Sequence, residues 1–402
     1  IAIDLETKDP ELKTMGSGSV TGKGHIVGIA VAVHDWAGYY PIRHEGGGNM
    51  DHGMVTRWLQ DVLNTPAIKI FHNAMYDVCF LRAERFKIEG KIVDTMIAGS
   101  LVDENRFRYD LGSLGRDYVG IGKNEAVLKE TADHWGIDAK SEMYKLPAMY
   151  VGEYAEQDAV LTLKLWQEMK KEIYAQDIED IFKLETELFP CLVDMRFLGV
   201  RVDTQAAYEL KQQLIEEEKE CLQKVKTETS VDVQIWAARS IEKVFQKLNL
   251  PYDLTAKTHS PSFTKNFLQN HPHPMVKLIA RAREINKSHT TFIDTILKHE
   301  HKGRIHAEIN QLRSDQGGTV TGRFSYNNPN LQQIPARNKE LGPLIRSLFI
   351  PEEGMKWGCF DYSQQEPRLV THYASLDGLY GVDEVLNSYN EGEADFHQIV
   401  SD

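Results

Sequence analysis

Six acids and a tyrosine have the types and spacing to do phosphate chemistry. Asp4 and Glu6 stand two apart in the apolar opening Ile-Ala-Ile-Asp-Leu-Glu. Asp77 closes Asn73-Ala74-Met75-Tyr76-Asp77, and Tyr154 lies four residues before Asp158 in Tyr-Ala-Glu-Gln-Asp. Asp361 follows the apolar run Gly-Met-Lys-Trp-Gly-Cys-Phe, with Glu366 five residues on. Carboxylates are the oxygen ligands that hard divalent cations require, and such ions drive displacement at phosphorus. Each piece also has a plain structural reading. An Asp-x-Glu pair suits a wet edge strand. Asp77 and Asp361 suit helix starts, where the helix dipole favours acids. Tyr154 and Asp158 suit a helix with one ring turned inward.

These residues work only if regular elements bring them together. The opening, IAIDLET, reads as a strand, and a period of two puts Asp4 and Glu6 on one face. HIVGIAVAVHD reads as a second strand, with β-branched residues in alternation and glycines before it at 16–24. AIKIFHN (67–73) reads as a short buried strand running into a helix, MYDVCFLRAERF, with Asp77 at its start and Val78, Leu81 and Arg85 at successive turns. VDTMIAGSLVDE and YVGEYAEQDAVLTLKLWQEMKKEIYAQ read as further helices, and the four-residue spacing stacks Tyr154 and Asp158 on one face of the second. Strand and helix in repetition predict an α/β layer. From about 178 to 300 the pattern is helical, one helix closing at Gly199. From about 302, KGRIHAEINQL and LIRSLFIPEEGMKWGCFDYS return to strands, with Arg346 on a strand and Asp361 at a strand's end.

Bulk properties narrow the setting. A chain of 402 residues implies two or three domains. The four cysteines, Cys79, Cys191, Cys221 and Cys359, form no C-x-x-C pair, so neither a disulfide framework nor a zinc cluster is expected and a reducing cytoplasm fits. No apolar run is long enough to span a bilayer and no secretory leader opens the chain. Its start in a strand without Met suggests that the first residues are missing. The net charge of −13 opposes non-specific nucleic-acid binding. From Lys302 to Arg346, however, seven basic residues face three acids, a local +4 that suits a nucleic-acid surface or an ordinary solvated face.

In combination the motifs are specific. Asp4-Leu5-Glu6, Asn73-Ala74-Met75-Tyr76-Asp77 and Tyr154-Ala155-Glu156-Gln157-Asp158 resemble, in order and in element type, the three exonuclease motifs of the DEDD superfamily in its tyrosine subtype. The segments Val93-Asp94-Thr95-Met96 and Leu101-Val102-Asp103-Glu104 resemble what such domains carry between the second and third motifs. Thr321-Gly322-Arg323-Phe324-Ser325, followed by Asn328-Pro329-Asn330-Leu331-Gln332-Gln333-Ile334-Pro335, resembles a signature of family A DNA polymerases, the bacterial DNA polymerase I type. Asp361-Tyr362-Ser363-Gln364-Gln365-Glu366-Pro367-Arg368 resembles motif A of that family, with Pro367 departing from the commoner Leu. The resemblance implies an α/β exonuclease domain (a ribonuclease H-like mixed sheet with helices) over 1–177. It implies a helical linker and thumb over 178–300, a partial α+β palm over 301–375 and the start of the fingers over 376–402.

The same resemblance implies roles. Asp4, Glu6 and Asp158 would hold one magnesium ion and Asp4 and Asp77 a second, manganese being a plausible substitute, while Tyr154 orients the attacking water. Asn73, Arg323, Asn330, Gln332, Glu366, Arg368 and His397 would contact DNA or nucleotide, and Asp361 would bind the polymerase metal. The partners implied are single-stranded 3′ ends and primer–template, with dNTPs for the parent protein, which would be phage-like; no membrane is involved, and a processivity factor is left open. The sequence ends at Asp402, ahead of the family's fingers helix and second palm carboxylate, so the chain as given is expected to hydrolyse but not to polymerise. Two other readings share these residues: a stand-alone 3′→5′ exonuclease acting on RNA, and a catalytically silent module that grips primer–template. His271-Pro272-His273 lacks partner ligands and reads as a loop.

Overall fold

Alternation along the first strand builds the sheet. The computed structural model of the chain describes residues 1–315, 317–336 and 338–392. Five strands, β1 (Ala2–Lys8), β2 (His25–Val33), β3 (Trp36–Pro41), β4 (Lys69–Phe71) and β5 (Ile92–Asp94), form one mixed sheet in the order β3-β2-β1-β4-β5. β1 runs antiparallel to β2 and parallel to β4, and β5 extends the parallel half. Ile3, Leu5, Ile29 and Val31 face one side, where they meet Val55, Leu59 and Leu63 of α1 (His52–Leu63) and Phe80 and Leu81 of α2 (Ala74–Ala83). Ala2, Ala30, Ala32, Ile70 and Val93 face the other, against Ala98 and Val102 of α3 (Thr95–Val102) and Ala155, Ala159 and Leu165 of α4 (Gly152–Ala175).

The second face is lined with small residues on both sheet and helix, so α4 approaches the sheet closely. Asp4 is paired with Ala30 and Glu6 with Gly28. A Cβ on Gly28 would lie 2.0 Å from the Tyr39 hydroxyl, so only glycine lets that ring cross beside Glu6.

Beyond the sheet the chain is helical. α5 (Glu179–Leu198) ends at Gly199, whose φ of +62° is the left-handed region that favours glycine. α6 (Thr204–Thr229) packs on α7 (Pro274–Lys287) through Cys221, Val225, Ile279 and Ala282. Helical structure continues through 288–299 before short strands return, Glu308–Asn310 pairing with Ser325–Asn327. No helix among the described residues is long and apolar enough to cross a membrane.

Two expectations fail here. Arg346 is not on a strand, because α8 (Leu341–Arg346) is a helix. The Asn338 carboxamide oxygen accepts the Glu340 and Leu341 N–H groups, both at 2.9 Å, and Leu341 and Ile345 are buried one turn apart. A cap and a four-residue apolar spacing outweigh strand propensity. Nor does the run Gly354–Phe360 form a strand ending at Asp361: it is irregular and exposed, with no ladder partner among the described residues. Propensity alone does not make a strand; a neighbouring strand must complete the ladder. A smaller difference is that α2 ends at Ala83, leaving Arg85 at φ +69° beyond it.

The chain divides into two compact units, Ile1–Ile350 and Pro351–Asp402. In the second, α9 (Gln365–Leu376) and α10 (Val382–Glu391) are joined by Arg368. Its guanidinium sits 4.6 Å from the Tyr389 ring centroid and donates to the Ser363 and Tyr389 carbonyls at 2.9 and 3.3 Å. Pro367 lies in the first turn of α9, where its missing N–H costs nothing.

In the first unit one carboxylate ties three distant segments together. Glu308 Oε1 accepts from Ser17 N (2.8 Å) and Arg196 Nη2 (3.2 Å), and Oε2 accepts from the side chains of Asn327 and Asn328, each at 2.9 Å. The loop between β1 and β2, helix α5 and the hairpin around Ser325 thus share one acceptor. Arg196 is only 4% exposed, so Glu308→Ala would strand a buried guanidinium. That variant should lose about 3–5 kcal/mol of stability in urea unfolding, with a smaller loss for Glu308→Gln.

Candidate active site

The sheet and two helix starts bring five of the predicted residues together. Asp4 and Glu6 lie on the β1 face turned toward α4, and Tyr154 and Asp158 occupy that helix's first two turns on its inward side. Asp77 sits in the first turn of α2, which starts three residues after β4, the parallel neighbour of β1. Its Oδ1 accepts the Leu5 N–H at 3.2 Å, between Asp4 and Glu6 in sequence.

A carboxylate outside the predicted set aims Asp77. Asp94, at the end of β5, accepts the N–H groups of Asn73 (2.9 Å) and Ala74 (2.8 Å) at the start of α2, and that of Met96 (2.8 Å) in α3. One side chain therefore caps two helices. Asn73 adopts the left-handed conformation, φ +65°, which asparagine tolerates. Its side chain makes no capping bond, so in the described structure it contributes a backbone bend.

The electrostatics of the cluster are adverse. Burial pushes the Asp4 carboxyl up to about 7, and the charge of Asp158 adds to the rise while Lys123 opposes it. Burial, then Asp4 and Asp158, hold Glu6 well above the usual range, and burial, then Asp4, does the same to Asp77. Burial also raises Asp158, against the pull of Lys123, and raises the Tyr154 hydroxyl, with Glu6, Asp158 and Asp4 adding to it. Low-dielectric surroundings and like charge both favour the neutral acid.

Among the described residues, one cation stands in this cluster. The Lys123 ammonium donates to Asp158 Oδ2 and, at 3.1 Å, to the Tyr154 hydroxyl, and it lies 5.2 Å from the Tyr154 ring centroid. Burial alone would lower its pKa, but Asp158 and Asp4 outweigh burial and raise it. Among the described residues no three Asp, Glu, His or Cys side chains stand ready-made around an ion. The donor set nevertheless fits a hard divalent cation: all four groups are carboxylates, and a positive charge already lies against one of them.

The other predicted residues are placed differently. Arg323, Asn330 and Gln332 lie on the loop flanking Ser325–Asn327, all three exposed. Asn330 Oδ1 accepts the Gln332 N–H at 3.1 Å, and Gln332 Nε2 donates to the Phe324 carbonyl at 2.9 Å, so the amides brace the loop. Asp361 and Glu366 are exposed in the second unit, while Arg368 bridges its two helices. His397 lies outside the described residues. Sequence reasoning passed over Lys123 and Glu308 and noted Asp94 only as part of a motif. Lys123, in Gly-Ile-Gly-Lys-Asn, carries no periodic signal; Asp94-Thr95 after a short apolar strand was a legible cap signature.

Comparison with known proteins fits this architecture. Residues 1–174 match the family model for a 3′-5′ exonuclease, and residues 204–402 match that for DNA polymerase family A. The chain is 34% identical over 430 aligned positions to a DNA-directed DNA polymerase of Pseudomonas phage M6, a match covering 100% of the chain and 64% of the relative. It is 32% identical to DNA polymerase DpoZ of Acinetobacter phage SH-Ab 15497, over 91% of the chain and 61% of that protein. It is 28% identical to DNA polymerase I of Chloroflexus aurantiacus, over 88% and 38%. A solved structure, the POL domain of Pol1 from M. smegmatis in complex with DNA primer-template and dNTP, superposes with a TM-score of 0.68 at 21% identity, over 92% of the chain and 59% of that chain. The fold and the paired motifs define an α/β exonuclease domain joined to polymerase elements. The chain belongs to DNA polymerase family A and spans less than two thirds of the length of the phage relatives it matches. Polymerases and exonucleases of this family are metal-dependent.

Two outcomes follow from the geometry. Asp94→Ala should lower stability by about 2–3 kcal/mol in denaturant melts, since it leaves three N–H groups without their acceptor. The Asp4 shift sets a pH dependence in chelator. Between about pH 4, where an ordinary aspartate ionises, and about 7, where folded Asp4 does, the folded chain keeps a proton that the unfolded chain has released. The stability from this group is therefore complete in acid and lost as pH rises through about 7. Melting temperatures in EDTA should fall between pH 5 and 8, and fall less in Asp4→Asn.

Proposed function

We propose that residues 1–177 remove 3′-terminal nucleotides from DNA, hydrolysing the last phosphodiester to release 5′-mononucleotides and so proofreading for the parent polymerase. One observation carries this reading. Four carboxylates and a tyrosine hydroxyl from a strand and two helices share one buried locus where their charges repel, an arrangement that favours cations. The ions are two Mg²⁺, with Mn²⁺ able to replace them. When bound, they offset the carboxylate charge, activate water near neutral pH and stabilise the leaving oxygen.

The chain's own groups have the following parts. Asp4, Glu6 and Asp158 hold the ion on the side of the attacking water, and Asp4 and Asp77 hold its companion. Tyr154, with its hydroxyl kept protonated by burial and acidic neighbours, orients the water by hydrogen bonding. The packed face of α4 fixes Tyr154 and Asp158 relative to β1, and Asp94 fixes the helix that carries Asp77.

In the same reading, residues 178–300 form the linker and thumb, 301–375 part of the palm and 376–402 the start of the fingers. Arg323, Asn330 and Gln332 meet primer–template. Asp361 ligates the polymerase metal, and Glu366, Arg368 and His397 meet the incoming dNTP. The substrates of the exonuclease portion are single-stranded 3′ ends, and the setting is the cytoplasm of a bacterium or a phage-infected cell.

The test is digestion of a 5′-labelled single-stranded oligonucleotide in Mg²⁺. Asp4→Ala should abolish mononucleotide release while keeping the circular dichroism spectrum and a cooperative melt. Tyr154→Phe should lower kcat by about 10²-fold with little change in KM, as expected for a misaligned water. Unchanged digestion by Asp4→Ala would refute the assignment, and selective digestion of RNA would redirect it to an RNA-trimming enzyme.

A further inference from the structure

Lys123 belongs to none of the motifs, yet its ammonium is the cation in contact with the acid cluster. It donates to Asp158 and Tyr154, and its charge opposes the protonation of Asp4, Glu6 and Asp158. Its side chain is 24% exposed, against 4% for that of Asp158, so it reaches the acids from the solvent side. Lys123 also lines a cleft of about 550 Å³ together with Arg108, Arg116, Lys129 and Lys140. Lys129 and Lys140 are engaged by Glu125, and Arg116 donates to the Ser113 hydroxyl at 3.1 Å. Lys123 is thus the cleft cation whose partner lies in the acid cluster. A lysine ammonium is a compact point charge on a flexible stem, so it can leave the cluster without disturbing the backbone.

We propose that Lys123 is a built-in counter-cation that competes with divalent ions for the Asp158 carboxylate, and withdraws toward the cleft when an ion enters. Without an ion, the ammonium offsets part of the repulsion that would push β1 and α4 apart. With an ion, the same charge a few ångströms away would repel it, so Lys123 must give up its contact with Asp158. Lys123 is therefore a positioning residue that sets metal affinity. The inference rests on the proposed exonuclease site.

The experiment is Mn²⁺ titration of chelator-stripped protein at fixed pH and ionic strength, with free Mn²⁺ counted by electron paramagnetic resonance and no DNA present. Wild type should bind Mn²⁺ with an affinity that Asp4→Asn weakens. Lys123→Met should bind Mn²⁺ tighter by on the order of tenfold, since a full opposing charge at a few ångströms has been removed. Lys123→Arg, which keeps the charge, should stay near wild type. The metal-free melting temperature of Lys123→Met should drop and Mn²⁺ should restore it. If that variant does not fold without metal, Mn²⁺ should fold it. Equal or weaker Mn²⁺ affinity in Lys123→Met, equal tightening in Lys123→Arg, or failure of Mn²⁺ to restore the Met variant would overturn the role of Lys123. Wild type that takes up no Mn²⁺, or whose uptake ignores Asp4, would overturn the exonuclease reading as well.

Discussion

Mutual repulsion among buried carboxylates is the constraint around which the first half of the chain is organised. Asp4, Glu6, Asp77 and Asp158 are each raised above the ordinary carboxylate range, chiefly by burial. A chain selected for stability alone would not place them so, because desolvated like charges weaken the folded state. What holds them is packing on both sides of the sheet. Ile3, Leu5, Ile29 and Val31 anchor β1 from below, and small residues above let α4 approach closely enough to present Tyr154 and Asp158. The repulsion lies at the seam between β1 and α4, where the Lys123 ammonium offsets part of it.

The same logic explains why the neighbourhood is rich in fixed dipoles and shared acceptors. Asp94 gives both oxygens to helix starts, and the Leu5 N–H is pointed at Asp77. Farther away, Glu308 ties the loop after β1 to α5 and to the hairpin that precedes the Asn-Pro-Asn-Leu-Gln segment. The α/β portion and the segment resembling the primer-binding signature are thereby joined through one carboxylate within a single compact unit.

Much of this was legible in the sequence, for identifiable reasons. β1, β2 and β4 were readable because their apolar patterns are dense and bounded by glycine or polar turns, and α4 and α6 because amphipathic spacing runs through more than five turns. The grouping of Asp4, Glu6, Asp77, Tyr154 and Asp158 came from the resemblance of three motifs, in order and element type, to those of DEDD exonucleases; spacing alone left each with a plain structural reading. Lys123 was not, since an ammonium on a four-carbon stem reaches its partner from a loop without leaving a periodic trace. Arg346 was misplaced because Leu-Ile-Arg-Ser-Leu-Phe-Ile suits a strand until the Asn338 cap and the buried Leu341–Ile345 pair are weighed. The run before Asp361 has strand propensity but no strand beside it among the described residues, and a ladder forms only with one.

The central claim, that these carboxylates converge to hold a pair of divalent ions, is met most directly by anomalous diffraction from crystals soaked in Mn²⁺. The account predicts two anomalous peaks about 3.5–4 Å apart, one touching Asp4, Glu6 and Asp158 and the other touching Asp4 and Asp77. Full-occupancy manganese elsewhere on the protein, with no peak among these four side chains, would contradict it.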